Sequence, residues 1–375
     1  MKTIFITHTT GYGGAAISLT TNLRYLIESG KLSAKDCIIA VPANERDLSA
    51  SAYHWFEYRV PFGYWQMPFS TAYKGGSKKI SSKLYSIVKE AISILCFVGV
   101  YNRAMKRDKI THIHLNSMVF WSLLPFLPKR IKKIIHIREM ITDDFSGWIA
   151  RKVINRYADT IIGITYQTTK GLLDNTIIIE NPFDMYRARQ FRNVRQELKT
   201  RLRLPEDSFV VSVFAPIGKQ KGTEFLLEVI KHIPKESPIH FVLVGEPFRG
   251  EDELYRNLKE IPTVHIFPTS HEMDRYYAIT DIVLRCEEYL PLGRTVYEGI
   301  YAGCMALLPF AEEDELDELE KYIDQIHLYP AGDAKLCAKG IMAIYHAHKN
   351  GIIDNGFAPT SNVPESAEKL LTVLT

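Results

Sequence analysis

The chain has 375 residues, enough for about two to three domains. Its 46% apolar and 24% charged residues exclude a disordered tail, a collagen-like chain and a disulfide-stapled miniprotein. Forty-six basic against 43 acidic side chains leave a net charge of +3, which excludes a uniformly basic nucleic-acid binder.

Lys2 is followed by too short an apolar run for a signal peptide. The longest apolar stretches, 91–101 and 118–128, are about half the ~20 residues a membrane-spanning helix needs. Five cysteines (Cys37, Cys96, Cys286, Cys304 and Cys337) form no close pair, which suits a reducing compartment and argues against structural zinc. The expectation is a cytoplasmic protein, soluble or resting on a membrane surface.

In chain order, a strand at 2–8 leads through Gly11-Tyr12-Gly13-Gly14 into an amphipathic helix carrying Ile17, Leu19, Leu23, Leu26 and Ile27. Further strands are expected at 36–41, 111–115, 133–138, 160–165 and 176–180, with a helix at 82–105. After Asn181-Pro182-Phe183-Asp184 comes an arginine-rich stretch, 186–203, read as part of a hinge near 181–206. A second series of strands follows at 208–215, 239–245, 263–267, 281–285 and 304–310. Helices are expected at 222–232, 251–259, 272–279, 293–302 and 334–348. This alternation predicts two α/β domains with mainly parallel sheets. They span 1–183 and 184–362, with a C-terminal helix at 363–375 packing back on the first. Ligands of such sheets sit beyond the carboxyl ends of the strands, so two facing domains would hold one in their cleft. Seven acids within 312–320 read as a solvated run.

Four segments stand out. Gly11–Gly14 either lets a ligand approach backbone at a helix start or is a tight turn needing positive φ. It is not a full dinucleotide fingerprint. Gly218-Lys219-Gln220-Lys221-Gly222 suits a phosphate, or is an exposed basic loop. From Arg285 to Gly299 a strand ends and a helix opens near Gly293, whose first amides, through Arg294 and Thr295 to Val296, would face a phosphate. Glu298, one turn on, could accept two sugar hydroxyls or merely sit on the surface. His112 and His114 share a strand face, but no third ligand has metal spacing, so a hydrogen-bonding role is the better reading; His136-Ile137-Arg138-Glu139 ends a second strand.

Together these pieces resemble the retaining GT-B glycosyltransferases of family 4, the glycosyltransferases group 1 type. The resemblance is most specific over 208–309 and looser in the amino half. It implies sugar transfer from a nucleotide-sugar donor to a glycan or lipid-linked acceptor in cell-surface polysaccharide or glycoconjugate synthesis, with retained configuration, no cofactor and no metal. By position it implies that Glu298 holds the donor ribose and Lys221 the diphosphate. It places His114 near the donor sugar, and Gly13, Gly14, Lys219, Gly245, Phe267, Gly293, Arg294 and Thr295 around the donor. His136, Arg138 and Glu139 fall on the acceptor side. Two departures stand: the first carboxylate of the family's Glu-x7-Glu motif is Leu290 here, with Glu287 and Glu288 nearby, and the family's arginine before the lysine is Pro216. They keep two other readings open, a binding protein that has lost transfer and a GT-B sugar-nucleotide epimerase.

Aromatic residues at 53–73 (Trp55, Phe56 and Trp65 among them) precede Lys74, Lys78, Lys79 and Lys83. Basic groups recur at Arg103–Lys109 and at Lys129, Arg130, Lys132 and Lys133. This region could rest on anionic lipid, or be ordinary aromatic packing with solvated lysines.

Overall fold

A computed structural model describes residues 2–9, 11, 13–42, 48, 51–57, 59–60, 62–65, 94–95, 109–173, 176–270, 272–288, 290, 293–311, 317–352 and 359–375. The chain forms two compact units: residues 1–182 with 363–375, and residues 183–362.

The first unit is built on seven strands: β1 (Thr3–Ile6), β2 (Cys37–Pro42), β3 (Phe62–Trp65), β4 (His112–Leu115), β5 (Lys132–Ile137), β6 (Thr160–Gly163) and β7 (Ile177–Ile178). They are parallel throughout, in the order β3-β2-β1-β4-β5-β6-β7. Side chains alternate between the faces. Phe5, Ile39, Ile134 and Ile162 point to the face covered by helix α1 (Gly14–Glu28), through Leu19, Leu23 and Leu26, and by the C-terminal helix. Ile4, Ile6, Ile113 and Ile135 point to the other, under Met118, Phe120, Leu123 and helix α2 (Phe145–Tyr157). Both faces are covered, which is why β1, β2 and β6 read as near-continuous apolar runs.

The second unit has six parallel strands: β8 (Phe209–Val213), β9 (Ile239–Val244), β10 (Val264–Phe267), β11 (Ile282–Leu284), β12 (Met305–Phe310) and β13 (Ile326–Pro330). Their order is β10-β9-β8-β11-β12-β13. On one face Val211, Val213, Phe241 and Leu243 pack with Leu226, Val229, Leu258 and Ile341. On the other, Val210, Val242 and Val244 pack with Tyr277, Ile279, Val296 and Ile300. Its helices are α3 (Tyr186–Phe191), α4 (Arg195–Arg201), α5 (Thr223–Lys231), α6 (Asp252–Lys259), α7 (Met273–Ile279), α8 (Arg294–Tyr301) and α9 (Ala334–Lys349). Helix α10 (Val363–Leu374) returns to the first unit, where Ser366 accepts a 3.0 Å bond from Asn22 of α1.

The arginine-rich stretch is not a linker but part of the second unit. Arg189 donates to the carbonyl of Tyr301, Arg192 to those of Ala302 and Thr280, and Arg195 to that of Ile279. These carbonyls close the carboxyl ends of α7 and α8, so the guanidinium groups satisfy helix-end acceptors and oppose the negative helix pole. Strands β3 and β13 and helices α3 and α4 were not expected. Most of the helix expected at 82–105 lies outside the described residues, as do residues 312–316 of the acidic run. No described helix is long and apolar enough to cross a membrane.

Candidate active site

In a doubly wound sheet the strand order reverses at one point, and the loops there part to leave a crevice at the carboxyl ends. In the first unit that point lies between β1 and β4, and in the second between β8 and β11.

In the first unit β1 is followed by the loop that ends in Gly13 and Gly14. Gly13 is the N-cap of α1 in ordinary extended geometry, φ −71°, without a side-chain cap. A Cβ added there would meet nothing within 4 Å. The positive-φ explanation for this glycine is thereby removed, and space is open over the backbone at the helix start. β4 and β5 carry His114 and His136. Both rings are buried, His114 against Phe5 and edge-on to His136, with Nε2 of His114 3.4 Å from Nδ1 of His136. Burial first, and the Arg138 charge second, lower the His114 pKa to about 3 and hold that of His136 well below its usual value. Both are neutral rings within the sheet. β4 buries His114 on the same sheet face as Phe5, with which it is paired across β1 and β4.

The half-buried end of that network is Arg138. Its Nε donates to Asn116 Oδ1 at 2.8 Å and one terminal nitrogen to Asn181 Oδ1 at 2.9 Å, with the other 3.3 Å from His136 Nδ1. Ser18 of α1 donates to the same Asn181 oxygen, and Asn116 donates to the carbonyl of Ala15. Glu139 accepts from the Ser117 hydroxyl at 2.7 Å and the Met118 amide at 3.1 Å. Asn116 and Asn181 were not singled out in the sequence as site residues, although Asn181 stands in the quoted Asn-Pro-Phe-Asp segment. The result is one fixed guanidinium beside the uncapped start of α1.

In the second unit the β8 loop brings Lys219–Lys221, and the β11 loop brings Arg285, Cys286, Glu287 and Glu288. Gly222 holds them together. Its φ is +68°, and a Cβ would fall 1.8 Å from the Cys286 carbonyl oxygen, so only glycine fits. Glu287 is buried and is gripped by Arg285 through Nε at 3.1 Å and a terminal nitrogen, with Lys221 Nζ 3.8 Å away. Arg285 also donates to Thr295 Oγ1 at 2.7 Å, which ties the strand end to the first turn of α8. That helix starts at Gly293 without a side-chain cap. A cavity of about 420 Å³ opens beside these groups, lined by Lys219, Gly222, Cys286, Glu287 and Glu288 among others.

Glu298 is mostly buried on α8. One carboxylate oxygen takes two 3.0 Å contacts from Arg294, and the other accepts 2.8 Å from the Tyr277 hydroxyl. Burial first, then the Glu298 charge, push the Tyr277 pKa well up and keep it a donor. The Arg294 guanidinium lies 4.8 Å over the Phe183 ring. Leu290 packs in the apolar core, so it supplies nothing polar; the carboxylate near it is Glu287.

Two expected donor residues have structural explanations. Gly245 is required because a Cβ would sit 2.2 Å from the Ala215 carbonyl oxygen. Phe267 packs on Tyr276 and accepts from the Gly245 amide. Lys219 is exposed and pairs with Glu224 at 3.0 Å, which raises its pKa. Among the described residues no three histidine, cysteine or acidic side chains cluster as a metal set.

Two parallel-sheet, Rossmann-like units with loops of this kind at their switch points define the fold of the GT-B glycosyltransferases. Residues 194–349, within the second unit, match the model of the Glycosyl transferases group 1 family. An Anabaena protein, HepE, solved with UDP and glucose, has the same fold at a TM-score of 0.75, with 15% identity over 100% of this chain and 99% of that one. WaaG, a glycosyltransferase involved in lipopolysaccharide biosynthesis, shares it at a TM-score of 0.66 and 12% identity, over 100% and 99% of the chains. The UDP-N-acetylglucosamine–N-acetylmuramyl-(pentapeptide) pyrophosphoryl-undecaprenol N-acetylglucosamine transferase of Finegoldia magna is 23% identical over 285 residues, 73% of this chain and 71% of that one.

Proposed function

We propose that the protein is a retaining glycosyltransferase that moves a sugar from a nucleotide-sugar donor to a glycan or lipid-linked acceptor. The observation that carries this reading is the pairing, around the first turns of α8, of an uncapped helix start with the Lys221–Glu287–Arg285 group on one side and the Arg294–Glu298–Tyr277 group on the other. Cleavage of a sugar–diphosphate bond leaves negative charge on the departing phosphate. Lys221 and the α8 amides would stabilise it without a metal. Glu298 would accept ribose hydroxyls while Tyr277 and Arg294 fix its orientation. Glu287 supplies the carboxylate that Leu290 lacks, and Arg285 a guanidinium where Pro216 has none.

The first unit would receive the acceptor, with Arg138 offered to an anionic group such as a linking phosphate. The names of the relatives support this division: one solved protein is in complex with UDP and glucose, and the curated transferase is named for a pyrophosphoryl-undecaprenol substrate. Location at the inner face of a cell membrane belongs to the same reading.

The test is a thermal-shift screen against UDP-, GDP-, dTDP- and ADP-sugars. One class should stabilise the protein by about 2.7 kcal/mol at a hundredfold excess over Kd. No shift with any class would end the reading. Equilibration of two nucleotide sugars without acceptor would replace it by epimerisation, and binding without turnover on any acceptor by a binding role.

A further inference from the structure

Helix α2 is fixed on one side and unsatisfied on the other. Its first turn is capped by Asp144, which accepts from the Gly147 amide at 3.0 Å, and is pressed so close to Thr142 that a Cβ on Gly147 would lie 1.8 Å from the Thr142 carbonyl oxygen. Arg151 pins the next turn through the carbonyls of Thr142 and Lys170 and the Asp143 carboxylate. Ala150 and Ile154 fill the core beneath.

The opposite face presents Phe145, Trp148, Lys152 and Arg156, at spacings of three, four and four residues along one side of the helix. Phe145 is 75% exposed and Trp148 50% exposed. The two rings stack at 5.7 Å and 19°, and the Lys152 ammonium stands 4.0 Å over the Trp148 ring. The helix carries three cations and no acid. Of the two acids just before it, Asp143 is paired with Arg151 and Asp144 is the cap. The segment 118–126, which packs against α2, ends in the exposed Phe126, with Lys129 and Arg130 exposed just beyond.

We infer that this face of α2 docks the protein on an anionic lipid surface, with Phe145 and Trp148 entering the headgroup region while Lys152, Arg156, Lys129 and Arg130 meet the lipid phosphates. Rigid aromatic rings with flanking cations suit that boundary, because the rings gain apolar contact and the long cationic stems keep their charge at the headgroups. The surface differs from the aromatic stretch at 53–73. There Tyr53 and Phe56 are core residues, and Trp55 is covered by the guanidinium groups of Arg24 and Arg59; residues 66–73 lie outside the described residues. Helix α2 follows β5, the strand that leads into Arg138 and Glu139. Docking here would bring a lipid-linked acceptor to that end of the first unit, which is where the inference rests on the proposed function.

The experiment is flotation with vesicles of phosphatidylglycerol and phosphatidylcholine, against pure phosphatidylcholine, at low and high salt. The wild-type chain should float with the anionic vesicles at low salt and be released by high salt. Phe145→Ser combined with Trp148→Ser should weaken binding at least about tenfold, and Lys152→Glu about fivefold. Both variants should melt with the wild type, since the side chains are exposed. Unchanged binding by the variants, or equal binding to neutral vesicles, overturns the inference. So does a loss of turnover by the aromatic variant on a soluble acceptor without vesicles, which would make the rings a glycan platform. Nucleotide-sugar thermal shifts on the same preparations separate this result from the donor reading: flotation without a shift would leave the docking face standing and remove the transferase assignment.

Discussion

Tyr277 and Glu298 are 21 residues apart in the chain, yet the buried phenol donates to the carboxylate at 2.8 Å. With Arg294 on the other oxygen, the carboxylate holds one orientation before any ligand arrives. Glu298→Gln keeps the shape but removes the charge facing Arg294. Donor turnover should fall by roughly 100-fold, since losing a charged hydrogen bond costs about 3 kcal/mol, while circular dichroism should show an unchanged fold. Turnover within a factor of two of wild type would exclude the role.

Arg285 and Glu287 form a buried, doubly bonded pair. Removing one partner leaves the other charge buried. Arg285→Gln should therefore lower stability by about 3 kcal/mol in urea unfolding. If the pair also holds Lys221 in place, Arg285→Lys should recover part of the stability while KM for the donor stays raised.

Gly222→Ala forces a side chain into the left-handed region and against the Cys286 carbonyl. A loss of about 2–4 kcal/mol is expected. Gly13→Ala meets open space at ordinary φ and should cost well under 1 kcal/mol. A selective loss of activity in Gly13→Ala at full stability would mark close approach of a ligand to that backbone.

The two sheet histidines are neutral in the folded protein. Unfolded, each titrates near 6.5, whereas folded His114 does so at about 3. Between these values the unfolded chain binds more protons. The stability that His114 preserves is therefore complete above about pH 6.5 and is lost as pH falls toward 3, by about 1.4 kcal/mol per pH unit. His114→Gln should flatten the pH dependence of the melting temperature in that window; an unchanged slope would show that other groups govern acid unfolding.

The fold class was legible because buried parallel strands leave uninterrupted apolar runs, as at β1, β9 and β12. β13 was not, since Ile-His-Leu-Tyr-Pro lacks such a run. Helices α3 and α4 were hidden by the arginines of this stretch; Arg189, Arg192 and Arg195 have as targets the carbonyls at the ends of α7 and α8, far away in sequence. In the candidate site, Glu298 and Lys221 stood out through the resemblance. The Arg285–Glu287 pair did not, because two residues apart along a strand end says nothing of a bidentate contact. His114 stood out through the resemblance too, but its neighbour His136, which it meets at 3.4 Å and which in turn meets Arg138, lies 22 residues away, so that chain of contacts was not legible.

The return of α10 to α1 has a consequence for biogenesis. The Asn22–Ser366 bond and the apolar contacts around it close a circuit that encloses the whole second unit. A ribosome delivers Ser366 only after residues 183–362 have been made. The first unit must therefore wait, with one side of α1 uncovered, while the second can fold on its own; loop closure over the interruption costs only a few kcal/mol because the entropy grows with the logarithm of length. A nascent chain arrested before residue 363 should thus hold a protected second unit and a protease-sensitive first one.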